Sequence, residues 1–411
     1  MAQIPRAALD LLTQQVNAIS ADAQAKVLEV LEAVEWTPGN VARCREIVAE
    51  ALASVIPAYA DASAQAAADF YDAARELCAG EAIGAAALSG LDMAAVQGAV
   101  RALVQVVVDG GAKERFDREV LGRVDVEMKK AAANSIVENA AKDPAKPRWA
   151  RVPSGRETCP FCLMLASFGF NTGSKEAASH THANCDCRIV PQWGDGSVGG
   201  YDPDGMYGRY NACLDAIGGC DGVRREWDAL PKEEREAYVA KHGGKAGKAF
   251  DAFLNKRVSA EIGRRDPEWF RTGKVPEYSA EPGAKPDRFE KQCGAVLRAN
   301  GFPVDFRKTA GTCPGGYKKR TSDVFVGKTP WEMKNPESNN DKTVKNQLKK
   351  AVGMAQKEMQ SSRVIISNVR SGRSADQMAE DAKKLFADGR FIEIDEVLVV
   401  GSDGTVLRIK R

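Results

Sequence analysis

Cys159-Pro160-Phe161-Cys162 and, after a gap of seventeen residues, His180-Thr181-His182-Ala183-Asn184-Cys185-Asp186-Cys187 form the stretch around which this chain is arranged. Four thiols and two imidazoles fall in one short segment, and two of the protein's three histidines are among them. A Cys-x-x-Cys turn presents two thiolates to one tetrahedral ion, and a nearby His/Cys group supplies the rest. Mixed thiolate and imidazole donors suit zinc, whereas magnesium and calcium take oxygen. The expected ligands are Cys159, Cys162, His182 and one or both of Cys185 and Cys187, with His180 left to the surroundings or to solvent. A disulfide and a redox Cys-x-x-Cys are the alternatives, but a redox dithiol has no use for the downstream His and Cys residues. No glutamate stands one helical turn from a histidine ligand to act as a base. A closed, structural Zn2+ is therefore expected, stapling a loop-rich segment too poor in apolar residues to hold itself.

Working outward, residues 1–149 are rich in Ala, Leu, Val, Glu and Arg, and they read as helix. Leu9, Leu12, Val16 and Ile19 begin one stripe. Trp36-Thr37-Pro38-Gly39-Asn40 interrupts it, and Asn40 is placed to cap a helix over 41–55. A second long helix is expected over 60–79, and two more near 92–108 and 112–141. The last shows Phe116, Val120, Val124 and Met128 every fourth residue. Residues 150–200 form the zinc segment. Residues 201–283 are mixed helix ending in a Pro/Gly linker over 273–286, and residues 284–411 alternate α and β. The expected fold is multidomain: an α-helical N-terminal domain, a zinc-stapled segment and an α+β C-terminal domain of αβββαβ type.

Net charge is +2, but it is unevenly spread: residues 284–411 carry 25 Lys and Arg against 16 Asp and Glu, a balance of +9. Such a module on a mildly acidic body suggests that the end of the chain meets a polyanion. The other six of the ten cysteines are scattered, which fits a reducing compartment better than a disulfide framework. The N-terminus lacks the basic and apolar pattern of a secretory signal, and no apolar run is read as membrane-spanning. Synthesis in the cytoplasm and no membrane partner are expected.

The segment Ala150-Arg151-Val152-Pro153-Ser154-Gly155 through Cys159 and Cys162, with His182-Ala183-Asn184-Cys185-Asp186-Cys187, resembles the zinc-bearing part of phage minor head proteins of the Mu F-like kind. That resemblance implies a place at or inside a capsid near the portal, with portal and capsid proteins as partners.

In the last domain Asp323 opens one strand, and Glu332 and Lys334 lie two apart on the next, sharing a face opposite Trp331 and Met333. This is the arrangement of PD-(D/E)xK nucleases, in which two carboxylates hold a divalent cation (Mg2+, Mn2+ or Zn2+) at the scissile phosphate. Glu290 and Gln347 are candidates to complete the pocket. Lys318, Lys319, Arg320 and Lys328 are candidates for nucleic-acid contact. Surface strands also carry such charges routinely. No histidine follows His242, which excludes a histidine acid/base pair in this domain.

Gly301-Phe302-Pro303-Val304, Lys319 to Val324, Trp331 to Pro336, Arg363 to Asn368 and Ile394 to Gly404 together look like the C-terminal nuclease domains of contact-dependent growth inhibition toxins, especially the tRNA-cleaving ones. The resemblance maps the active site to Asp323, Glu332 and Lys334. Some relatives implied by it are metal-independent ribonucleases that use the RNA's own 2′-hydroxyl. The expectation is a virion-associated protein carrying a tRNA-directed toxin that acts in a recipient's cytoplasm, with an acidic immunity protein as partner. A DNA-cutting effector and a structural head protein with a DNA-binding basic end are the rivals.

Overall fold

The computed structural model describes residues 2–37, 39–103, 113–155, 158–171, 181–308, 310–312, 318–320, 322–358 and 362–411. It divides into two compact units, Met1–Asp204 and Gly205–Arg411. Both mix helices with sheets, so the chain is a multidomain α+β protein.

In the first unit α1 (Arg6–Ala33) buries Leu9, Leu12, Val16, Ser20, Ala23, Val27 and Leu31, one residue every three or four. Helix α2 (Val41–Ala79) runs unbroken for 39 residues through Pro57, where the sequence suggests two helices. An interior proline removes a hydrogen bond and costs roughly 3 kcal/mol. Buried Leu52, Ile56, Ala60 and Ala64 on either side offset that cost. Asn40 does precede α2, but its Oδ1 accepts from Thr37 N at 2.8 Å and makes no cap bond to the helix. Helices α3 (Met93–Leu103) and α4 (Lys113–Lys142) follow, and Phe116, Val120, Val124 and Met128 of α4 are all fully buried.

By length and composition α2 passes as a helix able to cross a membrane, which corrects the reading that no run does so. In the structure its apolar residues pack against α1 and α4.

Strands β2 (Arg148–Val152) and β3 (Arg188–Gln192) pair antiparallel, with the short helix α5 (Pro160–Ala166) between them in sequence. β1 (Gln3–Ile4) and β4 (Ser197–Val198) pair in parallel. Trp149, Ala150, Val152, Ile189 and Val190 enter the same core as Leu9, Tyr71 and Ile136. At its centre the fully buried Asp143 carboxylate accepts from Tyr71 Oη at 2.9 Å, Arg75 Nε at 2.9 Å, Trp193 Nε1 at 3.0 Å and Ala145 N at 2.8 Å.

The second unit holds five helices before its sheet: α6 (Pro203–Ala216), α7 (Gly219–Ala229), α8 (Lys232–Lys241), α9 (Ala246–Ile262) and α10 (Pro267–Thr272). The sheet has the order β13-β12-β11-β10-β9-β6-β5. These strands are β5 (Ser279–Ala280), β6 (Val304–Phe306), β9 (Val324–Val326), β10 (Thr329–Lys334), β11 (Arg363–Ser367), β12 (Glu396–Val400) and β13 (Val406–Lys410). β10, β11 and β12 run parallel through helical crossovers, β9–β10 and β12–β13 are hairpins, β6 pairs antiparallel with β9, and β5 pairs in parallel with β6.

Helix α11 (Arg288–Ala299) covers one face with Trp331, Met333, Ile365 and Leu398. Helices α12 (Thr343–Glu358) and α13 (Ala375–Ala387) cover the other with Val364, Ile366, Val397 and Val399. A sheet covered on both faces reads as continuous apolar strands, as β11 and β12 do.

One irregular reading changes. The Pro/Gly segment 273–286 contains the edge strand β5, paired with β6. Strands β7 (Ala310–Thr312) and β8 (Lys318–Arg320) form an antiparallel pair that lies between β6 and β9 in the chain. Backbone hydrogen bonds, which composition does not report, hold both.

Residues before the sheet are bound to it by charge. Fully buried Glu261 of α9 pairs with Arg265 and with Arg408 of β13, and Arg408 and Arg264 pair with buried Glu396 of β12. Opposite charges without water hold one geometry, because removing any member strands the others.

Gly301 closes α11 at φ +82, and a Cβ there would sit 2.3 Å from Trp269. Gly301→Ala therefore combines a strained left-handed backbone with an indole clash. We expect it to destabilise the second unit by roughly 3 kcal/mol, read as a lowered denaturation midpoint.

Candidate functional site

Two constellations emerge, one in each unit. In the first, Cys159 caps α5: its Sγ accepts from Cys162 N at 3.3 Å, and Pro160 supplies the fixed φ of a first helical turn. That turn points both thiols at the segment leading into β3. His182 Nε2 lies 2.6 Å from Cys159 Sγ. The ligand atoms of Cys159, Cys162, His182 and Cys185 all fall within 4.8 Å of one another, so this group can bind a metal ion. Three sulfurs and one imidazole nitrogen at that spacing suit a tetrahedral, borderline-soft ion.

Cys187 has a different neighbour. Its Sγ is 3.3 Å from Cys185 Sγ and accepts from Arg151 Nη1 at 2.9 Å. The sequence leaves the fourth ligand open between Cys185 and Cys187, and the geometry gathers Cys185 with the other three. Hydrogen bonds from Cys159, Cys162 and Cys187 hold the Cys185 thiol well below its ordinary range, while contacts with Cys159 and Cys185 push Cys162 up. Thiols packed this closely give up their protons to a bound cation.

Arg151, buried on β2, was not anticipated as part of this group; its signal in the sequence is a charged residue inside an otherwise buried strand. His180 lies outside the described residues. Cys185→Ser is expected to lose bound metal, and Cys187→Ser to retain it, with metal content per chain measured by mass spectrometry.

In the second unit, the β9–β10 register pairs Trp331 with Val324, so the next step sets Asp323 opposite Glu332. Lys334 Nζ is hydrogen-bonded to Glu332 Oε1 and lies 3.9 Å from Asp323 Oδ2. Met333 N donates to Asp323 Oδ2 at 2.8 Å. Burial, and then the nearby Glu332 carboxylate, push the Asp323 carboxyl up to about 6, against the pull of Lys334 and Met333 N.

Glu290 stands at the third position of α11, where Asp287 N donates to its Oε2 at 2.7 Å in a capping box. Burial raises its pKa first, and it feels both Lys334 and Glu332. It therefore borders the group while also holding the helix start. Gln347 is buried on α12, on the side that carries Val344 and Leu348 into the core with Val364 and Ile366. Those two valine and isoleucine positions pair with Glu332 and Lys334, so Gln347 lies on the face of the sheet they share.

Lys328 is exposed in the β9–β10 turn, at the far end of the hairpin from Asp323 and Lys334, and the structure does not bring it to them. Lys318, Lys319 and Arg320 form β8, and only their backbone is described. Among the described residues, the carboxylates of Glu290, Asp323 and Glu332 do not gather as closely as the Cys/His group.

Residues 3–213 match the VG15 protein family, more than half of the chain. The chain belongs to the VG15 family, a family of viral (phage) proteins. A CdiA-CT/CdiI toxin and immunity complex from Burkholderia pseudomallei is similar over 33% of this chain and 98% of that chain, at 15% identity and a TM-score of 0.25. No curated protein matches the chain.

Proposed function

We propose that this phage-type protein is a minor head protein carrying a nuclease toxin in its second unit, with tRNA as the favoured substrate. The observation that carries the reading is the meeting of Asp323, Glu332 and Lys334 at the carboxyl end of β10, in the middle of a covered sheet. A carboxyl titrating near 6 is matched to taking a proton from an attacking hydroxyl near neutral pH. The Lys334 ammonium beside it offsets charge building on the phosphate oxygens. In a metal-dependent mode Asp323 and Glu332 would instead offer their oxygens to a hard divalent cation, which would supply a Lewis acid to the phosphate in place of Asp323 acting as base. Lys334 then orients and neutralises the phosphate from the same face.

In the first unit the Cys159, Cys162, His182 and Cys185 set would hold structural Zn2+ and keep the 150–200 segment in place for docking to portal or capsid proteins. The excess of +9 over residues 284–411 favours a polyanionic substrate and an acidic immunity partner in the producing cell. Inducible expression of the full chain in a sensitive bacterium, beside Glu332→Gln, tests the reading. Growth arrest with shortened tRNA in the parent alone supports it; healthy cells with soluble, folded protein and intact nucleic acid overturn it.

A further inference from the structure

The carboxyl end of β10, where Lys334 stands, carries a second feature that the nuclease chemistry does not use. Phe289, one residue before Glu290, is half-buried and lies one turn above Cys293, where the α11 core begins. Two guanidinium groups lie over its ring: Arg288 at 4.4 Å and Arg370 at 4.3 Å from the centroid. Arg370 comes from the loop after β11, and that loop is tied to the one after β10 by Ser371 Oγ donating to Ser338 O at 2.7 Å. Both loops leave the carboxyl ends of adjacent parallel strands, where open α/β sheets bind ligands.

Two like charges against one ring repel each other. Exposed Glu337 pairs with Arg370, while Arg288 makes no ion pair among the described residues. An aromatic face with flanking arginines is the combination that stacks an unpaired base and neutralises its phosphate. A base inside a duplex has both faces covered and offers nothing to stack.

Resting on the nuclease reading above, we propose that Phe289, Arg288 and Arg370 form a stacking subsite for an unpaired nucleotide beside the Asp323–Glu332–Lys334 group. The substrate is then single-stranded or looped nucleic acid. The base takes the place of the exposed Arg288 guanidinium over the Phe289 ring, and the two arginines then hold the adjoining phosphate.

The test uses the full chain with Glu332→Gln, so that the probe survives. A fluorescein-labelled single-stranded oligoribonucleotide and the same strand annealed to its complement are titrated by anisotropy. Phe289→Leu is expected to weaken single-strand binding about tenfold, the loss of one base–aromatic stack, and to leave duplex binding unchanged. Phe289→Trp should restore it, which separates stacking from a folding defect. Arg288→Ala and Arg370→Ala should each flatten the salt dependence. Equal single-strand affinity in Phe289→Leu, equal losses for both probes, or no single-strand binding by the parent overturns the subsite. Cleavage is scored separately with Glu332 intact. Phe289-dependent binding without cleavage overturns the nuclease reading and keeps the subsite. Cleavage with KM unchanged by Phe289→Leu does the reverse.

Discussion

Glu332→Gln is expected to lower nucleic-acid cleavage at least about a hundredfold and to abolish growth arrest, with the fold retained. The amide has the shape of the carboxylate, so the buried position stays filled and Lys334 keeps a hydrogen-bond acceptor. What goes is a negative charge. Without it Asp323 loses one of the influences that raise its pKa, and the group loses one of the two carboxylates opposite each other across β9 and β10. Lys334→Met should cost a similar factor, because it removes the cation that, among the described residues, is bonded into this carboxylate pair. Gels of total RNA and DNA from induced cells read the result. Shortened tRNA in the parent alone supports the ribonuclease. Lost chromosomal DNA with tRNA intact would select a DNA-cutting effector. Toxicity equal in parent and Glu332→Gln would remove this cluster from the mechanism.

Asp143→Ala is the largest stability loss expected anywhere in the first unit. Four groups donate to that carboxylate, and Arg75 beside it is almost fully buried. Truncation leaves a buried guanidinium with only the exposed Glu81 carboxylate at 3.7 Å, a defect of about 3 kcal/mol. For a unit of this size that corresponds to a melting temperature lowered by roughly 10 °C.

The same group sets an acid limit. Burial acts to raise the Asp143 pKa, but hydrogen bonds from Arg75, Ala145, Trp193 and Tyr71 outweigh it and hold the carboxyl at about 2 against a usual 3.8. Its contribution is therefore complete above about pH 4 and disappears as pH falls through about 2. Asp143→Asn should be less stable at neutral pH and lose this acid-dependent component. Parallel melting curves for parent and variant across that range, instead of converging at low pH, would show that Asp143 is not the group responsible.

Periodicity made the helical elements legible. Leu9, Leu12 and Val16, then Phe116 through Met128, repeat at helical spacing and are buried as that spacing requires. Capping was less so: Asn40 precedes α2 but its side chain accepts from Thr37 N, while Ser374 starts α13 with a capping box to Gln377. Pro57 misled, because burial on both sides outweighs a single lost hydrogen bond. Strands β5, β7 and β8 were hidden in segments whose glycines and prolines suggest loops, since a short strand is defined by its partner's backbone.

The two sites divide the same way. Spacing alone brought Cys159 and Cys162 onto one turn, and Glu332 and Lys334 onto one face, because local geometry follows from residue number. Choosing Cys185 over Cys187 required the β2–β3 pairing, which sets Arg151 against Cys187. Placing Asp323 opposite Glu332 required the β9–β10 register, and bringing Arg370 to Phe289 required two loops from distant positions to meet. The sequence by itself determined the ligand types, the charges and the helix faces. Only tertiary structure decided which of them touch, because contacts between residues far apart in the chain depend on register and packing that no local pattern encodes.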